Sequence, residues 1–426
     1  MKIDQLQPLL SKYLARQRWF AGAEPKSVEI VDSDELGDRL HWLLVEADGA
    51  RYQLLVGIIE GMPPEFLHGH DAEVLGVADS EVAYDGLLDP ELVKALVAKL
   101  APDEEIMRVR PMGAEQSNTS LVLDDRLVLK VFRRIHEGPN PDIEVTTALA
   151  DAGFEHVAAP VATWEESGTH LAIVQPYLAG GTDGWALALT SLRDLYGSEC
   201  EDPADCGGDF AAEARRLGAV TGAMHVALAS ALGTGRPDTG EWAGLMERQL
   251  ERIAAREPWN ARANATFERL RDMASPGLAL RVHGDFHLGQ VLRTDTGWFV
   301  LDFEGEPARP LDERRERSSP LKDVAGMLRS FQYATAVVLR EREDFEIEAL
   351  TPKAEAWEQR NRRAFLDGYF GAAGIDDLLP PSRDDIDAAL RAWELDKAIY
   401  EVGYERDHRL DWVDIPETAI ARLLSG

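Results

Sequence analysis

Residues Arg281 to Leu292 read RVHGDFHLGQVL and set two histidines, an aspartate, two glycines and a glutamine between apolar residues. Polar groups in such surroundings are costly to bury unless they find partners. The nearby run WFVLDF also carries an aspartate, Asp302, close to its end. Loops held between short strands commonly carry catalytic residues. The stretch therefore predicts a functional loop on a rigid scaffold.

The spacing of these polar residues suits phosphoryl transfer. Asp285 can orient and deprotonate a hydroxyl, while the amide oxygen of Gln290 and the carboxylate of Asp302 can hold Mg²⁺ on nucleotide phosphates. Protein kinases show the same order as H-R-D-x-x-x-x-N and D-F-G, where this chain has H-G-D-F-H-L-G-Q and D-F-E. A hydrogen-bonded turn without chemistry would explain any one of these residues, but not the ordered set.

The first half of the chain offers the remaining parts of such a site. A kinase needs a strand lysine that contacts phosphates and a helix glutamate that holds it. RLVLKVF places Lys130 on the third strand of a predicted sheet, and DIEVTTAL places Glu144 on the next helix. The alternative for Lys130 is an edge strand that faces solvent.

Two further segments are expected to contact the nucleotide. The loop MGAEQSNTS, which contains Ser117, would cover the phosphates, although a plain hairpin turn explains it equally well. VQPYL, residues 174–178, ends the last strand before the helical part. In a two-lobed kinase this segment contacts the adenine through backbone groups. Gln175 and Tyr177 are therefore candidate nucleotide-binding residues.

The pattern of apolar residues predicts an α+β chain in three parts. Residues 1–90 form a small domain with a helix over 3–16 and a hairpin at Asp48-Gly49. Residues 91–178 form a small antiparallel sheet with one helix, and residues 179–426 form a mostly helical lobe. Helices in that lobe are predicted over 185–196, 208–230, 240–255, 259–273, 319–340, 353–371 and 383–406.

Charge and composition exclude several classes of partner. The chain has 76 acidic and 45 basic residues, a formal net charge of −31, which repels nucleic acids. Any nucleotide must therefore enter a locally basic cleft with a divalent cation. No run of eighteen apolar residues and no signal peptide is found, so we expect a cytoplasmic protein that does not bind membranes. Cys200 and Cys206 are then expected to be free thiols.

These motifs resemble the aminoglycoside-phosphotransferase-like branch of the eukaryotic-type kinase fold. The H-G-D-x-H-x-x-Q loop, DFEGEP, SPLKDVAGMLRSF and YEVGYERDHRLDW resemble more narrowly the bacterial maltokinases and glucosamine kinases, and RQRWFAG resembles the start of their N-terminal cap domain. The resemblance implies a eukaryotic-protein-kinase-like two-lobed fold with an extra α+β cap. It also implies transfer of the γ-phosphoryl group of ATP to a small sugar.

The resemblance assigns roles to the residues that match its motifs. Asp285 would be the catalytic base, and Gln290 and Asp302 would ligate Mg²⁺. Lys130 would bind nucleotide phosphates and Glu144 would pair with it. His283 would orient the loop, His287 would reach the acceptor sugar or the phosphate, and Asp323 would tie down the loop backbone.

The acceptor site is expected on the segment YEVGYERDHRLDW. Sugars are bound by aromatic faces and by carboxylates that accept from hydroxyl groups. An amphipathic helix with solvated charges is the alternative. The candidates are Tyr404, Glu405, Asp411 and Trp412.

The choice of sugar rests on charge. From Glu394 to Asp414 the chain has seven acidic and three basic residues, which favours a cation. We therefore expect glucosamine, phosphorylated at its 6-hydroxyl, with maltose phosphorylated at its 1-hydroxyl as the alternative. A nucleotide-binding protein without catalysis and an acidic interaction module are rivals that leave the ordered set of polar residues unexplained. The sequence does not determine the oligomeric state.

Overall fold

The structure, a computed structural model, describes residues 3–20, 23–61, 65–78, 80–113, 118–306 and 310–425. The chain forms two compact units, Met1–Glu144 with Ala158–Ala179 and Val145–Val157 with Gly180–Gly426. The predicted cap and most of the predicted small lobe fall within the first unit, so the three-part division stays a prediction.

The first unit opens with a helix and a set of antiparallel strands. These are α1 (Ile3–Leu14), β1 (Val28–Glu35), β2 (Leu40–Ala47), β3 (Ala50–Glu60), β4 (Val74–Ala78) and β5 (Glu81–Asp85). Leu6, Leu10 and Leu14 recur every four residues on α1, and all three are buried in one core with the sheet. The strand order is β1-β2-β3-β5-β4. The β2–β3 hairpin turns at Asp48 and Gly49, both with positive φ, as predicted.

A second sheet in the first unit carries the strand with Lys130. Its region contains α2 (Pro90–Leu100), β6 (Val109–Pro111), β7 (Asn118–Leu123), β8 (Leu127–Phe132), β9 (Arg134–Ile135), α3 (Pro141–Asp151), β10 (Ala162–Glu166) and β11 (Thr169–Pro176). The strand order is β10-β11-β8-β7-β6, and β9 pairs instead with β3. β8 is thus a central strand, and Lys130 is its one polar residue.

The second unit is mostly helical. Its elements are β12 (Thr182–Asp183), α4 (Gly184–Gly197), α5 (Ala211–Leu232), β13 (Thr234–Gly235), α6 (Thr239–Ala254), α7 (Asn260–Arg271), β14 (Ala279–Leu280), β15 (Val291–Thr294), β16 (Gly297–Val300), α8 (Leu311–Arg315), α9 (Leu321–Arg340), α10 (Asp344–Phe370), α11 (Arg383–His408) and α12 (Asp414–Ser425). One large core joins these helices to the β15–β16 hairpin.

Two glycines let α5 and α10 pack with their backbones close together. A Cβ atom on Gly218 would lie 1.9 Å from the carbonyl oxygen of Phe365, and one on Gly368 would lie 2.0 Å from that of Arg215. Any larger side chain would force the helices apart. This packing matters for the site because α5 carries His225 and α10 carries Tyr369.

The helix predicted over 353–371 begins nine residues earlier, at Asp344, and contains Pro352. The predicted helix began just after Pro352, because proline normally interrupts a helical pattern. Two further helices were not predicted, α8 with five residues and α12 with twelve.

Two smaller expectations can be compared with the structure. Both cysteines are free. No helix in the described part of the chain is long and apolar enough to span a bilayer.

Candidate active site

The β15–β16 hairpin sets Gln290 beside Asp302. The strands pair from Val291 with Val300 to Thr294 with Gly297, and the N–H of Leu301 extends this ladder by donating to the carbonyl of Gln290 at 2.9 Å. As a result, Nε2 of the Gln290 side chain donates to Oδ2 of Asp302 at 3.4 Å.

Asp302 has a left-handed backbone, with φ +59°. Few residues other than glycine adopt this conformation, and such outliers concentrate at functional sites. Here it follows directly on a strand and places the carboxylate next to the amide of Gln290. Carboxylate and amide oxygens are hard ligands that suit Mg²⁺, so this pair of side chains fits the predicted metal role.

Asp285 forms an ion pair with a lysine from α11. Nζ of Lys397 lies 3.0 Å from Oδ1 of Asp285 and 2.9 Å from Oε1 of Glu306. The side chains of Asp285 and Lys397 are each 19% exposed, whereas that of Glu306 is 4% exposed. Burial opposes ionisation of Asp285, but Lys397 and His287 outweigh it and hold the pKa of Asp285 below its ordinary value. Asp285 is therefore a carboxylate at neutral pH.

The pKa of Lys397 is shifted in the opposite direction to that of Asp285. Burial disfavours its ammonium, but Glu306 and Asp285 raise the pKa of Lys397 well above its ordinary value. The three side chains form a network with one permanent cation between two carboxylates. The ring of Tyr400, one turn further along α11, covers the ammonium at 4.8 Å from its centroid.

His287 stands at the edge of this network. Its Nε2 lies 3.9 Å from Oδ2 of Asp285, and its Nδ1 accepts from the N–H of Gly289 at 3.1 Å. Burial lowers the pKa of His287, although Asp285 opposes the shift. The ring is therefore neutral at pH 7, with its proton on Nε2, facing Asp285.

His283 braces the loop, as the sequence analysis expected. It is 1% exposed, and its Nε2 lies 2.9 Å from the carbonyl of Leu301. Its ring packs between Phe286 and Phe303, with centroids 5.2 and 4.9 Å away. His283 therefore connects the loop of Asp285 to the segment of Asp302.

Asp323 anchors the backbone of the loop, which confirms its predicted role. Its carboxylate accepts from the N–H groups of His283 at 2.8 Å and Gly284 at 2.9 Å. Nε2 of His225 lies 3.1 Å from the same carboxylate, and Nδ1 of His225 lies 3.0 Å from the hydroxyl of Tyr369. The side chains of Asp323 and His225 are fully buried.

The first unit contains the predicted lysine. Lys130 is 13% exposed on the central strand β8, so the edge-strand alternative is wrong. Its Nζ donates to Oδ2 of Asp142 at 3.0 Å. Glu144, the predicted partner, is two residues after Asp142, and both lie in the first turn of α3. Asp142 was not predicted, although its place beside Glu144 in the same sequence motif could have nominated it.

The other nucleotide-binding candidates are less informative. Ser117 lies outside the described residues. Gln175 is half-buried near the end of β11, opposite Val128. The backbone N–H of Tyr177 donates to Arg126 at 2.8 Å, and its carbonyl accepts from Ala179 at 2.9 Å. Their contacts with adenine stay a prediction.

Two of the acceptor candidates, Glu405 and Trp412, contact Tyr333. The Glu405 carboxylate accepts from the Tyr333 hydroxyl and, at 2.6–2.9 Å, from Arg409. The ring of Trp412 stacks on Tyr333 with centroids 6.2 Å apart. Among the described residues, no hydrogen bond or ion pair joins this group to Asp285. Tyr404 and Asp411 are exposed.

Sequence reasoning missed Lys397, Glu306 and His225. Glu306 lies in the recognised DFEGEP segment, which was the one available signal for it. Lys397 is 112 residues from Asp285, and His225 is 98 residues from Asp323. Helix packing brings these pairs together, and no local pattern records it.

Comparison with known proteins places the chain in a family. Residues 108–341 match the model of the phosphotransferase enzyme family, and residues 13–89 match that of the maltokinase N-terminal cap domain. The first match covers more than half of the chain and includes the loop of Asp285 and the segment of Asp302. The protein therefore belongs to the phosphotransferase enzyme family.

Individual relatives align with about three quarters of this chain. The glucosamine kinase of Streptacidiphilus jiangxiensis is 30% identical over 337 residues, which cover 74% of this chain and 73% of that protein. The glucosamine kinase of Mycolicibacterium smegmatis (strain ATCC 700084 / mc(2)155) is 30% identical over 338 residues, which cover 74% and 79%.

Solved structures agree with this placement. A glucosamine kinase in complex with glucosamine, ADP and inorganic phosphate superposes with a TM-score of 0.70 and 25% identity, over 100% of this chain and 99% of that one. Crystal form B of a glucosamine kinase gives a TM-score of 0.72 and 25% identity, over 99% of each chain. The predicted α+β kinase-like fold is thereby confirmed.

The buried Asp323 network predicts a measurable effect on stability. In Asp323→Asn one carboxylate oxygen becomes an NH₂ donor, which faces donors on the loop backbone or His225. We expect the free energy of unfolding at pH 7 to fall by about 3 kcal/mol, the scale of a broken buried pair. Urea unfolding followed by circular dichroism measures this loss, and the exposed Asp377→Asn serves as a control that should change it by less than about 0.5 kcal/mol.

The same variant should change how stability depends on pH. Burial opposes ionisation of Asp323, but its bonds from His225 and the loop hold its pKa below the ordinary value. A group with a lowered pKa stabilises the fold above its unfolded pKa, about 3.9, and loses that contribution as pH falls through the folded value. The gap between wild type and Asp323→Asn should therefore be constant from pH 7 to about pH 4 and shrink below it. A gap that shrinks already between pH 7 and pH 5 would contradict this assignment.

Proposed function

We propose that this protein is an ATP-dependent sugar kinase that uses Mg²⁺ and transfers the γ-phosphoryl group to the 6-hydroxyl of glucosamine. The observation that carries the proposal is the loop geometry. It sets an ionised Asp285 on the same short loop as Gln290, which lies beside Asp302. Family membership and two glucosamine kinase relatives support the reaction class and the sugar. We expect the reaction to take place in the cytoplasm, where ATP is supplied.

Asp285 acts on the acceptor hydroxyl. As a carboxylate it accepts a hydrogen bond from that hydroxyl, orients its oxygen for in-line attack and takes its proton as the new bond forms. Lys397 and Glu306 hold the carboxylate in place. His287 presents its Nε2–H beside Asp285, where it donates to the acceptor or to the transferring phosphoryl group.

Gln290 and Asp302 would hold Mg²⁺. The ion, when bound, neutralises charge on the phosphates during transfer. Asp302 offers a carboxylate and Gln290 an amide oxygen, and the hairpin ladder keeps both side chains in fixed relative positions.

Residues of the first unit would bind ATP. Lys130 contacts the phosphates, and Asp142 and Glu144 hold and orient its ammonium. Ser117 covers the phosphates, and Gln175 and Tyr177 meet the adenine. The central strand fixes the backbone of Lys130, and Asp142 holds its ammonium.

The acceptor sugar would pack against the C-terminal part of α11 and the turn that follows. Trp412 and Tyr404 supply ring faces, and Glu405 positions Tyr333 and Arg409. Asp411 is exposed and makes no hydrogen bond or ion pair with any described residue, which leaves its carboxylate available for the glucosamine ammonium. A charge-assisted hydrogen bond of this kind is worth about 1.5–3 kcal/mol.

Maltose is the second candidate acceptor. The match of residues 13–89 to the maltokinase cap domain favours it. Maltose is neutral, however, so it cannot form an ion pair with the carboxylates between Glu394 and Asp414.

Replacing the base tests the reaction class. Asp285→Asn should lower kcat with glucosamine by about 10²–10⁴-fold, because the hydroxyl proton loses its acceptor. The Kd for Mg²⁺-ATP should stay within a few-fold, since the residue faces the acceptor. Steady-state kinetics and calorimetry measure both quantities. The matched control is Asp295→Asn in the exposed β15–β16 turn, and a turnover of Asp285→Asn equal to that of this control would remove Asp285 from the mechanism.

Replacing Asp302 tests the proposed Mg²⁺ site. Asp302→Asn should lower the rate by more than about tenfold and raise the Mg²⁺ concentration that gives half-maximal rate, because a neutral amide binds the ion more weakly than a carboxylate. Titration of activity with Mg²⁺ at fixed ATP measures this shift. An unchanged Mg²⁺ dependence would count against the ligand role of Asp302.

A panel of sugars tests the acceptor. We expect kcat/KM for glucosamine to exceed that for glucose by about ten- to a hundredfold, the size of one charge-assisted bond. Asp411→Asn should shrink this ratio, whereas the control Asp407→Asn, also exposed on the same segment, should preserve it. A preference for maltose, or equal use of glucose and glucosamine, would overturn recognition of the amine and leave the kinase assignment intact.

A further inference from the structure

The first unit contains a cavity of about 500 Å³, whose lining includes Gly113, Asn118, Thr119 and Ser120 of the loop MGAEQSNTS but none of Lys130, Asp142 and Glu144. It is bounded by residues 16–19 of the RQRWF motif, by residues between 85 and 90, by β6 and by residues 118–121 of β7. The volume is within the range of small-molecule sites in proteins.

The charge of the cavity is opposite to that of the protein. The whole chain carries −31, yet the lining of the cavity carries four arginines and two carboxylates, a formal +2. A basic cavity in an acidic protein attracts an anion. The charged lining residues are Arg16, Arg18, Arg110, Arg133, Glu73 and Asp85.

Arg133 lines this cavity with unused hydrogen-bonding capacity. It is 1% exposed, its Nε donates to Oγ1 of Thr119 at 2.8 Å, and its Nη2 pairs with Asp85. Its Nη1 is buried and has no acceptor among the described residues. A buried donor without a partner is costly, so the site favours a ligand that supplies an acceptor.

Arg18 adds a second guanidinium on the cavity wall. Its side chain is exposed and forms no hydrogen bond or ion pair with any described residue. The neighbouring Trp19 is half-buried, and the guanidinium of Arg133 lies 5.1 Å from its ring centroid. Trp19 and Phe66 form an apolar wall beside the basic groups.

We propose that this cavity binds a small organic phosphate. Arg18 and Arg133 hold the phosphoryl group, because guanidinium forks match phosphate oxygens. The body of the ligand packs on Trp19 and Phe66. A phosphate monoester is nearly a dianion at pH 7, which balances the formal charge of the lining. The inference concerns a second site and holds whichever sugar the catalytic site takes.

Calorimetry with phenyl phosphate, which combines a phosphoryl group with an apolar ring, tests the site in the full chain. We expect wild-type protein to bind it, more tightly than inorganic phosphate and more weakly as salt is added. Arg18→Gln should weaken binding about tenfold or more. The matched control is Arg134→Gln, an exposed arginine on β9 that does not line the cavity, and it should change affinity by less than about twofold.

A second variant examines the buried arginine. Arg133→Lys keeps the positive charge beside Asp85 but lacks the Nη1 donor, so it should also weaken binding of phenyl phosphate. Should this variant fail to fold, Arg18→Gln still decides the question, because Arg18 is exposed. Equal affinity in Arg18→Gln and Arg134→Gln, or no binding to folded wild-type protein, would overturn the proposal.

Discussion

The loop that carries Asp285 depends on one buried carboxylate. Asp323 accepts two backbone N–H groups from the loop and the ring N–H of His225, so a single anion fixes the path of residues 283 and 284. His225 and its partner Tyr369 come from α5 and α10, whose close packing needs glycine at 218 and 368. Small residues far along the chain thereby determine where the loop can present Asp285.

On the loop itself, opposite charges keep Asp285 ionised. A carboxylate that is mostly buried would tend to stay protonated, and Lys397 reverses that tendency for Asp285. Glu306 balances the lysine, so the network tolerates its own burial. In the proposed reaction, a sugar hydroxyl would meet an ionised carboxylate whose orientation is already set, which would lower the cost of organising the transfer.

The cap and the sheet that carries Lys130 share one apolar core, and buried polar groups join them as well. Gln53 of β3 is fully buried and donates to the carbonyl groups of Phe132 and Leu171 at 2.5 Å, while Arg133 pairs with Asp85. Such contacts cannot slide without leaving buried donors unpaired. The cavity with basic walls lies in this same region, so a ligand bound there would contact the cap and β7 together.

The sequence alone indicated the candidate site residues that lie near one another along the chain. Asp285, Gln290 and Asp302 could be predicted because one loop and one hairpin hold them, and Lys130 because a lysine in an apolar strand needs a reason. The same local patterns predicted most helices, but not the extension of α10 past Pro352. Only the tertiary structure decided which partners these residues meet. Lys397 reaches Asp285, and His225 reaches Asp323, through the packing of helices that are distant in the chain. The periodicity of apolar residues predicts which face of a helix is buried, but it does not predict which element that face packs against.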